Sequence, residues 1–371
     1  MRFALRRRAL PGVPTLGLEV RPMGKTLPIR VANVGSGEAG RLDFNRENLW
    51  RRMDGAMGKK AVETPVFLAN PGQMDYLYPP KQLRFLDPDA VRRWARGRRE
   101  RGEEDEGREP LQGLEPLPLE RYRKTVAVGL YVPHLDDQAK KEVLRLAQGT
   151  PEEEALKDHE GPAIFLCPER ILDWADREGM EASLVLDKVY YHELGHALMD
   201  TGPTPYGELW GRILEESLAN WVAFRLFQGR EARLVQRLIQ GQPAEYWGYL
   251  AVGEGILAPE LGDGDGWIHH WERRLRMWDP WEWKEAWYAW REWWLGLLRE
   301  GYRFLPEGGY AFMLFPLFPL LGLPPAWNPE EGARFNFRQW RKAKRQQAFR
   351  DPEVVRIYAG FAEALLLRAV E

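Results

Sequence analysis

Runs of apolar residues bounded by glycine and proline divide the chain into elements of uneven clarity. Up to about residue 90 the runs are short. Leu27–Val34 and Val66–Leu68 read as strands joined by Gly and Pro turns, and Asn45–Met53 as a short helix. From Arg92 to Pro118 the pattern gives way to charge: Arg96, Arg98, Arg99 and Arg101 are followed by Glu103, Glu104, Asp105 and Glu106, then by Pro110, Pro116 and Pro118. Too little apolar surface is present there to offset the entropy of ordering, which predicts a linker or mobile loop. Order returns with a β-branched run at Thr125–Val132, read as a buried strand, and a helix over Asp136–Gln148. A short strand at Ala163–Leu166 leads into a helix opened by Pro168 and running to Arg177, with Gly179 ending it. Ser183 is the expected N-cap of a helix over Leu184–Met199, and a loop with Gly202, Pro203 and Pro205 leads to a helix over Glu208–Phe227, with Gly229 placed to stop it. The remainder reads as mostly helical. Trp281, Trp283, Trp287, Trp290, Trp293 and Trp294 mark one helix whose face packs inward.

These elements predict an α+β protein in four parts. Residues 1–95 form a mixed α/β N-terminal region, 96–118 a charged, proline-containing linker or loop, 119–230 a core of strands and helices, and 231–371 a Trp-rich helical C-terminal region. With 371 residues, 44% of them hydrophobic, the chain can bury a sizeable core. Positive and negative side chains nearly cancel, to a net charge of -2, so bulk electrostatics gives no case for nucleic acid or an acidic membrane. Cys167 is the only cysteine, which excludes an intramolecular disulfide and fits a reducing compartment. The basic start, Met1–Pro11, has no following apolar run of signal-peptide length. The most apolar stretch, Tyr310–Leu323, is short for a membrane span and contains Pro316 and Pro319. The expectation is a soluble, cytoplasmic protein without a membrane partner.

The chemistry concentrates in Tyr191-His192-Glu193-Leu194-Gly195-His196, an HExxH pattern. On a helix, residues four apart share a face, so both imidazoles converge on one metal ion while Glu193 reaches a water at that ion. Catalytic zinc takes three protein ligands and keeps a position open. The next helix carries Leu214-Glu215-Glu216-Ser217, and a short connection between antiparallel helices brings Glu216, with Glu215 as the alternative, against the histidines.

The two segments resemble the gluzincin clan of zinc metallopeptidases, which includes the thermolysin-like enzymes. There an HExxH helix is followed by a helix bearing a glutamate ligand. The resemblance covers about residues 163–228 and includes Asp200 after the second histidine. It implies a zincin-like core: a small sheet with an active-site helix pair. It also implies His192, His196 and Glu216 as zinc ligands and Glu193 as general base, with a water activated by the ion as nucleophile on the peptide bond. Asn220 falls where the family places an acidic partner for a zinc histidine, and its side-chain oxygen can still accept a hydrogen bond. Tyr206 is the first candidate to stabilise the oxyanion, and His269 and His270 are the second. The strand Ala163–Leu166 is either the edge strand that the resemblance implies for an extended peptide or an internal strand of the sheet. Cys167 reads as a buried packing residue, Asp263–Gly266 as a Gly-rich turn, and the basic run Arg338–Arg345 as a solvated helix face. The expected partners are a peptide or protein substrate and a regulatory partner that restrains a cytoplasmic peptidase. The competing readings are a non-catalytic zinc-binding scaffold and a nucleic-acid-associated interaction protein.

Overall fold

A computed structural model describes residues 29–44, 46–80, 84–101, 109–118, 127–146, 153–253 and 329–370. Labels below run over these residues. The N-terminal part carries β1 (Val31–Asn33), α1 (Glu47–Arg51), α2 (Gly55–Glu63), β2 (Val66–Leu68), α3 (Pro71–Leu77), β3 (Arg84–Phe85) and α4 (Pro88–Arg101). Then follow β4 (Leu117–Pro118), β5 (Gly129–Val132), α5 (Asp137–Arg145), α6 (Glu153–Lys157), β6 (Ala163–Leu166) and α7 (Pro168–Glu178). The helices α8 (Ala182–Met199), α9 (Leu209–Phe224) and α10 (Gly229–Gln240) precede a 3-10 helix at Ala244–Leu250, and α11 (Pro329–Gln346) and α12 (Pro352–Ala369) close the chain. The protein is thus of mixed helix and sheet.

The sheet runs β1-β2-β6-β5, with β1, β2 and β6 parallel and β5 antiparallel to β6 at the edge. Its central strands are apolar at every position because both faces are covered. Val66, Leu68, Ile164 and Leu166 face the large core built on α8 and α9, while Phe67, Ala163 and Phe165 face a smaller cluster with Met74, Leu135, Val143 and Leu156. Helix α8 is the hub of the larger core and is buried from Leu184 to Ala197, as expected of a helix apolar on nearly all sides. The buried Asp187 of α8 accepts from Arg46 and, at 2.7 Å, from Arg52, which also pairs with Glu231 at 2.8 Å. The N-terminal part is thereby tied to α8 and α10.

Several expectations need correction. Residues Arg92–Arg101, expected in a loop, belong to α4 (Pro88–Arg101), because Val91 and Ala95 lie one turn apart and are both buried. Beyond it Leu111 and Leu114 are buried, the Leu111 N–H donates to Glu363, and β4 pairs with β3. This segment packs against α12 instead of spanning a gap. The strand expected at Thr125–Val132 is described at Gly129–Val132 and is half-buried at the sheet edge, since among the described strands only β6 flanks it. Ser183 is not the N-cap of α8. Glu181 takes that position, and Ser183 lies within the first turn with its hydroxyl donating to Glu181. Gly229 does not stop α9, which ends at Phe224; with φ 57° it opens α10. Helix α7 starts at Pro168 and ends at the left-handed Gly179 as expected. Leu27, Tyr310–Leu323 and the tryptophans from Trp281 to Trp294 lie outside the described residues. No helix among the described residues is long and apolar enough to cross a membrane.

The C-terminal helices wrap the α8–α9 pair. Trp340 of α11 and Tyr358 of α12 stack with Trp210 and Phe349, with ring centroids 5.1–6.5 Å apart. The 3-10 helix contributes a buried Glu245, whose Oε1 accepts the Leu86 N–H at 2.9 Å while Oε2 has no partner. Burial raises its pKa to about 7. A folded-state value above the unfolded one means this group's contribution to stability is complete below about pH 4.5 and is lost as pH rises through about 7. Glu245→Gln should therefore unfold at higher denaturant than the parent at pH 8, by at most about 3 kcal/mol, with near parity at pH 5. Urea melts at the two pH values check this.

Candidate metal centre

His192 and His196 stand one turn apart on α8, and Glu216 faces them from α9. The helices can approach because of Gly195: a Cβ there would lie 3.0 Å from Ala219 Cα and 3.2 Å from its carbonyl oxygen. Glu216, one turn before Ala219, is brought onto the imidazoles by this close crossing. His192 Nε2 lies 3.2 Å from His196 Nε2 and 3.1 Å from Glu216 Oε2, and His196 Nε2 lies 3.6 Å from Glu216 Oε2. A tetrahedral ion with bonds of 2.0–2.1 Å holds its ligands about 3.3–3.4 Å apart. The three atoms therefore stand at the mutual spacing of metal ligands. Glu216 Oε2 is buried without a hydrogen bond of acceptable geometry, which also fits a cation as the missing partner. The buried group His192, His196 and Glu216 can hold a metal ion.

The electrostatics favour positive charge at this point. Burial lowers the His192 pKa to about 4 and keeps that ring neutral, as a ligand must be. At His196 burial also disfavours charge, but the Glu216 and Glu215 carboxylates prevail and raise it to about 10. Burial works against ionisation of Glu216, yet His196 and His192 hold it well below the carboxylate range. The surrounding carboxylates thus call for a cation between them.

Tyr206 lies at the site, where its hydroxyl donates to Glu216 Oε1. Asn220 is fully buried; its Nδ2 donates to the Tyr246 carbonyl at 3.0 Å, while Oδ1 has no partner. His192 Nδ1 is likewise buried without one, so the expected Asn220–histidine bond is not formed here. Asp200 is exposed and accepts from the Tyr131 hydroxyl at 2.6 Å. Cys167 is buried, with its thiol 3.5 Å from Glu169 Oε2 and its pKa pushed by burial to about 12, an inert packing residue. His269, His270 and Asp263–Gly266 lie outside the described residues.

Glu215 is not among the three converging ligands. Its Oε1 lies 3.7 Å from His196 Nδ1, and it accepts from Lys344 at 3.2 Å and from the Trp340 indole. Lys344 belongs to the basic run expected on a solvated face. It points inward instead, because Glu215 is buried against α11 and requires a counter-charge. The loop after α8 is fixed to the same helix by the Thr201 hydroxyl, which donates to the Arg341 carbonyl at 2.7 Å.

Glu193 lies beside the histidines under β5. A Cβ on Gly129 would come within 2.7 Å of Glu193 Oε1, so glycine leaves the carboxylate its space. Burial raises the Glu193 pKa to about 7, against the opposing influence of His196, Lys188 and the Tyr131 backbone N–H. The cluster opens on a cleft of about 800 Å³, lined by β5, α7, α8 and the loop before α9. Tyr78 and Phe85 also line it, although nothing in the N-terminal sequence marks them as site residues. The strand Ala163–Leu166 takes the internal place, between β2 and β5. The edge that borders the cleft belongs to β5. No protein-family model, curated protein or solved structure matches the chain.

Proposed function

We propose that the protein is a zinc-dependent hydrolase of the gluzincin type, a peptidase with a zincin-like core made of the sheet and the α8–α9 pair. The observation that carries this reading is the convergence of His192, His196 and Glu216 at ligand spacing, with Glu193 beside them and a cleft in front. The His2Glu donor set suits catalytic zinc, and a purely structural site has no use for a carboxylate at Glu193.

When bound, zinc lowers the pKa of a water and polarises the substrate carbonyl. His192 binds as a neutral imidazole, and Glu215 faces His196 Nδ1 and orients that ring. Tyr206 is the proposed donor to the developing oxyanion, turning to it the one hydroxyl proton that it otherwise donates to Glu216. Glu193, with its pKa near neutrality, takes the proton of the attacking water and passes it to the leaving nitrogen. The outer edge of β5 supplies backbone groups for an extended peptide, which supports a peptide rather than a compact substrate.

The test is a peptide-library digest by the zinc-loaded protein, with Glu193→Gln as the control. Cleavage at defined bonds by the parent alone supports the reading. No cleavage, or equal cleavage by both, contradicts it.

A further inference from the structure

Among the described residues, one buried cation in the cleft has no carboxylate within salt-bridge distance. Four lysine and arginine side chains among the described residues line the cleft: Arg170, Arg177, Lys188 and Lys344. Three of them have carboxylate partners: Arg170 pairs with Asp75 at 2.6 Å, Arg177 with Asp173 at 3.2 Å, and Lys344 with Glu215 at 3.2 Å. Lys188 is 1% exposed, and among the described residues no carboxylate lies within 4 Å of its ammonium. Its Nζ donates to the Gln242 side-chain oxygen at 2.8 Å and lies 5.6 Å from the centre of the Trp174 ring. Glu193 and Glu216 act on it only from a longer distance. Burying an ammonium beside a neutral amide and an aromatic ring is costly unless an anion completes the site. A lysine has three N–H donors, and the amide oxygen of Gln242 takes one.

The charge balance of the cleft floor points the same way. Glu216 faces the histidines and Glu215 is matched by Lys344. Among the described residues that line the cleft, Lys188 is the buried cation without a carboxylate beside it. Trp174 from α7, Lys188 from α8 and Gln242 after α10 form a niche from three separate elements, all on the cleft wall. Lys188 precedes His192 by one turn, about 6 Å along the same helix face. An extended peptide advances about 3.3 Å per residue.

We infer that Lys188, with Gln242 and Trp174, is a substrate-recognition site for a carboxylate carried by the peptide within a few residues of the bond cleaved. This inference rests on the peptidase reading for its substrate class, and Lys188 serves as a specificity-determining residue. The carboxylate has two sources, the C-terminus of a short peptide or an acidic side chain, and the site chemistry is the same for both.

The test is equilibrium binding to the zinc-loaded Glu193→Gln protein, which does not depend on turnover. The probes are N-acetylated alanine pentapeptides in matched pairs. One pair differs by a free C-terminal carboxylate or a C-terminal amide; the others differ by Glu or Gln at one interior position, all with amidated ends. The expected result is that one carboxylate form binds about tenfold or more tightly than its neutral twin. Preference in the first pair identifies a terminal carboxylate, and preference in an interior pair an acidic side chain. Lys188→Met in the same background should bring the preferred pair to equal affinity, with Lys188→Gln as the second variant if Met does not fold there. Equal affinity within every pair, no binding by any probe, or a preference that survives loss of Lys188 would overturn the inference. Cleavage of the same peptides by the parent is read separately. A carboxylate preference without cleavage sinks the peptidase reading alone, and cleavage without a preference sinks this inference alone.

Discussion

Glu193→Gln is expected to lower peptide hydrolysis by about 10²–10⁴-fold while leaving the bound metal in place. Glutamine has the same shape, so it fits the space under Gly129 and beside Val189 that the carboxylate fills. It cannot take a proton from water. Glu193 is not one of the three converging ligands, so the variant should retain the ion. Burial places the Glu193 pKa at about 7, where accepting and returning a proton are both accessible near neutral pH. The checks are kcat on a peptide the parent cleaves and metal content by mass spectrometry on the same samples. Unchanged turnover with full metal would remove Glu193 from the mechanism.

Lys344→Met should carry the largest stability effect, a loss of about 3–5 kcal/mol. Lys344 and Glu215 are 2% and 3% exposed, so removing the ammonium leaves a buried carboxylate with the Trp340 indole and the His196 ring as its remaining partners. Burial resists ionisation of Glu215, and at present His196, Lys344 and Trp340 together hold its pKa below the usual value. Without Lys344 part of that support is gone. The double variant Glu215→Gln, Lys344→Met removes both charges and should recover part of the loss, because neither charge is then left buried without its partner. Urea unfolding of metal-saturated samples measures both. A loss under 1 kcal/mol for Lys344→Met would mean the pair is solvated in solution.

The parts of this site that the sequence reveals are those governed by helix periodicity. His192 and His196 are four apart in a run that can only be a helix, and Glu216 lies on the helix that follows. Both facts are local, and the structure brings the three together as expected. What pairs across long distances was hidden. Strand order is set by contacts between residues far apart, so the sequence leaves Ala163–Leu166 open between an edge and an internal place; it is internal, and β5 holds the edge. Lys344 read as part of a solvated basic face, since its partner Glu215 is 129 residues away. Charge density likewise hid the helical stripe of Val91 and Ala95, whose burial depends on the core they meet. Lys188 is inconspicuous within the apolar run of α8, because what marks it is that no carboxylate among the described residues pairs with it, a property of its surroundings alone.

The central claim is a three-ligand metal centre built by α8 and α9. Its most direct test is the metal content of the parent and of Glu216→Ala, purified without added metal, then exposed to zinc and desalted. The account predicts close to one zinc per chain in the parent and a strong loss in the variant, with both folded by circular dichroism. A folded parent that takes up neither zinc nor another transition metal would contradict it, and His192 and His196 would then be structural histidines.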